Sequence, residues 1–192
     1  MDNQGQRNIK KIYALATRAE MSSGLIWYKE ARKLSVKSSN DLKLPLHVFV
    51  GVLSALSPRN MWSRNAIDAK VLCSAFLNGD TQESVRVSTY NNMKAKAWKI
   101  LELMPSRRSI IKILNGLKIV SFFKCIMGDN ACCIDGHSYH IWHGQRVVKK
   151  KIGKRLLASI VKDYEQVATI LGIEIYQLQA ITWLTWRRLQ VG

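Results

Sequence analysis

Two side chains have types and a spacing that could do chemistry. Lys118 and Asp135 lie seventeen positions apart in LNGLKIVSFFKCIMGDNACCIDGHSYHIW, residues 114–142. A lysine attacks an electrophilic carbon only as the neutral amine, a form that an apolar setting such as Ile119 and Val120 favours. A carboxylate can stabilise developing positive charge, direct a water, or take up a proton. His137, two residues beyond Asp135, is placed to hydrogen-bond beside it. His137, His140 and His143 step by three with Cys132 and Cys133 close by, which raises the question of zinc. Adjacent cysteines ligate one zinc poorly, and the step from His140 to His143 drifts around a helix, so no metal is expected.

Stepping outward, Asn115-Gly116 suits a turn because Gly, and less often Asn, accepts a positive φ. The run IVSFFKCIM, apolar at six of its positions, predicts a mostly buried helix stopped by Gly128. Asp129 and Asn130 make the next turn. Asp135 then stands where an N-cap would, ahead of a helix GHSYHIWH, and the helix N-terminus favours its anionic form. Lysine and carboxylate thus fall at opposite ends of one buried hairpin.

The supporting elements read as helices throughout. Residues 46–56 are almost wholly apolar and predict a central buried helix ended by Ser57-Pro58. A helix follows over 61–77, then one within 85–104 that carries Lys94, Lys96 and Lys99 and ends at Pro105, and then a helix over 109–114 leading into the hairpin. Toward the N-terminus, residues 9 to about 33 predict one or two helices interrupted at 21–24, and the Ser-rich segment 35–43 predicts a surface loop. Beyond the hairpin, Arg146, Lys149, Lys150, Lys151, Lys154 and Arg155 form a run without an acid, suited either to a solvated loop or to a polyanion. Helices over 156–171 and 175–189 complete an all-α chain with no alternating strand pattern.

The 192 residues suffice for one domain or two interleaved lobes with a substantial core. Thirty Lys and Arg against thirteen acids give a net charge of +17, the balance of a polyanion-binding protein. Because the basic residues spread along the chain and no lone basic amphipathic tail stands apart, DNA is the expected partner and a membrane is not. No run reaches the ~18–20 apolar residues of a membrane span. The first residues lack the apolar segment of a signal peptide, and four scattered cysteines suit a reducing compartment, so a cytoplasmic setting in a bacterial cell or phage-infected host is expected.

The order of turn glycine, Lys, apolar helix, loop, apolar residue and Asp-x-His, written here as Gly116-Leu117-Lys118 and Ile134-Asp135-Gly136-His137, resembles the helix-hairpin-helix and Gly/Pro-Asp region of DNA glycosylases of the endonuclease III superfamily. The hairpin differs from the family pattern in having one glycine and no proline. Leu53-Ser54-Ala55 followed by Asn65, and Tyr90-Asn91-Asn92 followed by Lys94-Ala95-Lys96-Ala97, resemble two further elements of that superfamily. The ending QLQAITWLTWRR, together with SALSPRN and IDGH, is similar to small, largely uncharacterised phage proteins related to the same group, a likeness running from about Trp27 to Arg187.

The resemblance implies a single two-lobed helical domain over 1–192 with its hairpin and catalytic region at about 109–143. It implies a DNA glycosylase that flips a damaged or hypermodified base out of duplex DNA, with Asp135 as essential carboxylate and Lys118 as nucleophile if lyase chemistry follows. Ser57 and Arg59 would face the gap left by the base. Asn65, Lys94, Lys96, Asn115, Gly116, Arg146, Lys149, Lys150 and Lys151 would contact the DNA. His137, Tyr139 and Trp142 would line the base pocket, and Trp98 is a further ring that could stack on a base. The cysteine spacing lacks the four-cysteine pattern of the superfamily's iron–sulfur cluster, so neither a cluster nor another cofactor is expected. Two alternatives stand beside this: a transferase of the same fold that installs substituents on DNA bases, and a non-catalytic DNA-binding or inhibitor protein.

Overall fold

The computed structural model describes residues 2–148 and 152–191, which form ten α-helices with no strand among them. Lys149, Lys150 and Lys151 lie outside the described residues. The chain divides into two compact units, one built from Met1–Glu30 with Gly128–Gly192 and the other from Ala31–Met127. Among the described residues no single helix is long and apolar enough to cross a membrane.

The continuous unit is organised on α3 (Leu46–Ala55), whose residues from Val48 to Ala55 are all buried. A helix apolar on every side needs partners on every side. It finds them in α4 (Trp62–Leu77), α5 (Asn91–Leu103), α6 (Arg107–Leu114) and α7 (Leu117–Met127). Each fully buried Val or Leu of α3 contributes about 1.5–3 kcal/mol. Trp98 is buried edge-on against Phe76 at 5.3 Å, so it belongs to this interior and is no platform for a base.

The other unit packs α1 (Gln4–Ala14) against α8 (Gly136–His143), α9 (Lys154–Leu171) and α10 (Ile175–Val191). Ile9, Ile141, Ile160, Tyr164, Val167 and Leu178 are fully buried in its core. A buried Asp163 ties three elements together. It accepts from Asn3 Nδ2 at 2.7 Å, Gln6 Nε2 at 3.1 Å and Trp142 Nε1 at 2.7 Å.

One prediction fails plainly. The segment expected as a helix break, 21–24, and residues 35–41 of the loop expected over 35–43 lie inside α2, a single helix over Arg18–Asp41, and only Leu42 and Lys43 form the turn that follows it. Ser35 and Ser38 are buried within it because each hydroxyl donates to the carbonyl four residues earlier, Ala31 and Leu34, both at 2.8 Å. Serine satisfied in this way sits on a packed face without leaving a polar orphan. The break falls earlier, between α1 and α2. There Thr17 and Glu20 form a capping box, with Thr17 N–H donating to the Glu20 carboxylate at 2.8 Å and Glu20 N–H to Thr17 Oγ1 at 3.2 Å.

Candidate functional site

Asp135 is the N-cap of α8, as its position in the sequence implied. Its Oδ1 accepts from the backbone N–H groups of His137 and Ser138, both at 2.9 Å, and from Ser138 Oγ at 3.3 Å. Such a cap contributes about 1 kcal/mol to the helix. Its Oδ2 accepts from the indole N–H of Trp183 at 3.1 Å, forty-eight residues along the chain. Behind Ser138 runs a buried relay in which Tyr28 OH donates to Gln179 Oε1 at 3.0 Å and Gln179 Nε2 donates to Ser138 Oγ at 3.4 Å. Tyr28, Ser138 and Gln179 are nearly or wholly buried, whereas Asp135 is half-buried. The carboxylate is therefore held at both oxygens while remaining half-buried.

Rings gather around Trp183. Trp183 is half-buried, with the Arg187 guanidinium 4.6 Å from its ring centre. His137 and Trp27 approach it edge-on at 6.1 and 6.5 Å. No residue of α10 is among the site residues expected from the sequence. The available signal is a row of polar residues at helical spacing among apolar ones, Gln179, Thr182 and Thr185, all buried in the structure.

Lys118 belongs to the other unit, where it is half-buried in the first turn of α7. α6 and α7 are joined by Asn115 and Gly116 alone. The left-handed position of that turn is taken by Asn115, at φ 41°, and not by Gly116. The last carbonyl of α6, Leu114 C=O, accepts from the ammonium of Lys96.

Several residues expected at a DNA surface are engaged elsewhere. Lys94 Nζ donates to the carbonyls of Gln82 and Val85, at 2.8 and 2.9 Å, and so holds the loop before α5. Asn65 is buried and donates to Leu53 C=O at 3.1 Å, which joins α4 to α3 and turns its amide inward. Ser57 is buried with its hydroxyl on Ser54 C=O at 2.9 Å. In place of a base pocket, Tyr139 occupies the core. Trp142 is half-buried with its indole N–H on Asp163. His140 accepts from Val147 N–H at 3.2 Å, and among the described residues no group of three or more His, Cys, Asp or Glu could hold a metal ion.

Arg59, Asn115 and Arg146 remain exposed. Arg59 has φ 54°, a left-handed conformation that costs a non-glycine residue roughly 1–2 kcal/mol. The surrounding loop is pinned by the buried Asp68, which accepts from Arg64 Nε at 2.8 Å, Asn60 Nδ2 at 2.9 Å and Ser88 N–H at 2.8 Å. The Arg59 guanidinium lies 5.4 Å from the Tyr90 ring centre.

No curated protein and no solved structure matches this chain. One family model does, over residues 2–190, and the chain belongs to that family, DUF7178, a family of unknown function.

Proposed function

We propose that this chain is a DNA glycosylase that turns a damaged or hypermodified base out of the duplex and breaks its bond to the sugar. One observation carries the proposal. A helix, a two-residue turn and a second helix with Lys118 in its first turn are followed along the chain by Asp135, a half-buried carboxylate with both oxygens held by fixed donors. Breaking the C1′–N bond builds positive charge on the sugar, and a carboxylate that needs no reorientation stabilises that charge most effectively. If the Lys118 amine attacks C1′, its nitrogen–carbon bond forms as the base leaves with the bonding pair. The amine then loses a proton, and the sugar opens to an imine from which the strand can be cleaved by elimination. If it does not attack, a water directed by Asp135 completes hydrolysis and Lys118 holds a phosphate. The net charge of +17 supports a DNA substrate. Two compact units, one drawn from both chain ends and one from the continuous middle segment, support the lobed architecture that the resemblance implies.

Base release is measured on duplexes carrying different modified bases, with borohydride reduction to trap any imine. Asp135→Asn should lower turnover about 10²–10³-fold, the usual loss for one preorganised electrostatic group. Lys118→Ala should abolish the trapped adduct. Adduct loss with retained base release identifies water as the nucleophile, and unchanged turnover in Asp135→Asn ends the proposed mechanism. The turn that takes its left-handed residue from Asn115 favours a second reading, a DNA-binding protein without catalysis. Affinity that falls steeply with salt, with no product from any duplex, would identify it.

A further inference from the structure

We propose that Trp183, with Trp27, His137 and Arg187, forms a nucleobase-binding face beside Asp135, the indole stacking on an unpaired base while Arg187 meets the adjoining phosphate. The inference deepens the glycosylase proposal and rests on it only for what happens to the base once bound. The half-buried indole of Trp183 is anchored at one edge, because its N–H donates to Asp135 Oδ2 at 3.1 Å. That bond fixes the plane of the ring and uses its sole polar atom, so what remains to offer a ligand is π surface. Two further rings meet it edge-on, His137 at 6.1 Å and 84° and Trp27 at 6.5 Å and 61°, which extends the aromatic surface. Arg187 is exposed and its guanidinium lies over one face of the Trp183 ring, 4.6 Å from its centre, so a base stacking on that face displaces it toward the adjoining phosphate.

The charges select the ligand. The Asp135 anion repels a phosphate from its own side of the indole, while Arg187 attracts one. A neutral planar ring next to a phosphate fits both, and a nucleotide in a single strand or extruded from a duplex has that shape. An uncharged aliphatic ligand would offer Arg187 no anion and the indole no ring to stack on. Tyr139 and Trp142, expected from the sequence to line a base pocket, are taken up by the core and by Asp163. Trp183 assumes the role assigned to them.

The test measures binding of a labelled oligothymidylate, and of an equally long strand of abasic sugar-phosphate, to wild type, Trp183→Leu, Trp183→Phe and Arg187→Gln. Thermal unfolding verifies that each variant is folded. Trp183→Leu should weaken oligothymidylate binding about tenfold or more and leave the abasic strand unchanged, since base–aromatic stacking carries effects of that size. Trp183→Phe keeps a ring and loses the donor to Asp135, so it should bind within about threefold of wild type. Arg187→Gln should weaken both strands and flatten the salt dependence. Folded Trp183→Leu that binds both strands as wild type does, or loses both equally, overturns the inference. The two proposals also fail separately. Base release undiminished in Trp183→Leu removes the stacking face and keeps the glycosylase, whereas selective loss of oligothymidylate with no base release from any duplex keeps the face and removes the glycosylase.

Discussion

Replacing Gly24 by alanine sets two effects of opposite sign against each other. Within a helix, alanine is favoured over glycine by roughly 0.8–1 kcal/mol, so propensity alone predicts a more stable protein. Gly24, however, is where α2 meets α10. A Cβ built there would lie 2.4 Å from Ile181 Cγ1, 2.7 Å from Ile181 Cα and 2.8 Å from Ile181 N. The side-chain contact can relax by rotation, but the two backbone contacts cannot. Reaching an ordinary separation of 3.4 Å or more means moving one helix by about 0.7 Å, in an interior already close to crystal density. Overpacking costs about 1–3 kcal/mol. Two of the three contacts being backbone puts this case at the upper end, so the net effect is a loss of about 1–2 kcal/mol, or roughly 2–8 °C in Tm for a chain of this length. Urea unfolding provides the assay, with a lowered midpoint and an unchanged slope. Ser23→Ala, exposed one residue earlier on α2, supplies the propensity gain without the clash. Ile181→Ala removes only the Cγ1 contact, so the double variant with Gly24→Ala should be no more stable than Gly24→Ala alone. Gly24→Ala with a midpoint at or above that of wild type would refute the close approach of α2 and α10. Tyr28, one turn further on, donates to Gln179 and meets Tyr176 edge-on at 5.9 Å, so the same variant should also disturb the relay behind Asp135.

Three further outcomes follow from charge and burial. Glu20 takes a bidentate grip from Arg188, whose hydrogen bonds are the main cause of lowering its carboxyl from 4.5 to about 2. A folded-state value below the unfolded one means that this stabilisation is fully present above about pH 4.5 and is lost as pH falls toward 2. Acid titration of stability should therefore lose part of its slope in that window in Arg188→Gln. Burial pushes the Cys73 thiol up to about 12, so it should resist a thiol reagent at neutral pH in the native protein and react on unfolding; rapid native labelling at Cys73 would contradict that burial. Asp68→Ala removes the acceptor that pins residues 57–60 and should cost on the order of 2–3 kcal/mol. It should also speed tryptic cleavage after Arg59, read by mass spectrometry, and equal cleavage rates would show that Asp68 does not hold the loop.

What could be read from the sequence was whatever repeats locally. The apolar run of α3, its stop at Ser57-Pro58, the Gly128 that ends α7 and the Asp135 cap depend on neighbours a few residues apart, and each appears in the structure. The failures depend on partners that spacing does not reveal. Serines 35 and 38 looked like loop because their polarity is visible and their carbonyl acceptors are not. Gly24 looked like a break because nothing local tells a helix stop from a place where two helices touch. Lys94 and Lys96 looked free to meet phosphates, since backbone carbonyls nine to eighteen residues away leave no trace beside the lysines that hold them. Trp183 was hidden for the same reason, its bond to Asp135 spanning forty-eight residues.

The division of the chain into a middle segment and a unit drawn from both ends imposes an order on its birth. Residues 31–127 leave the ribosome as one uninterrupted stretch that holds every partner α3 requires. α1 emerges first and then waits for α8, α9 and α10, the helices against which it packs. At about 5–20 residues per second, some 8–30 s separate the end of α1 from the start of α10. Until α8 emerges Ile9 and Ile12 have none of these helices to cover them, and a nascent chain halted before α8 should be the form that chaperones hold.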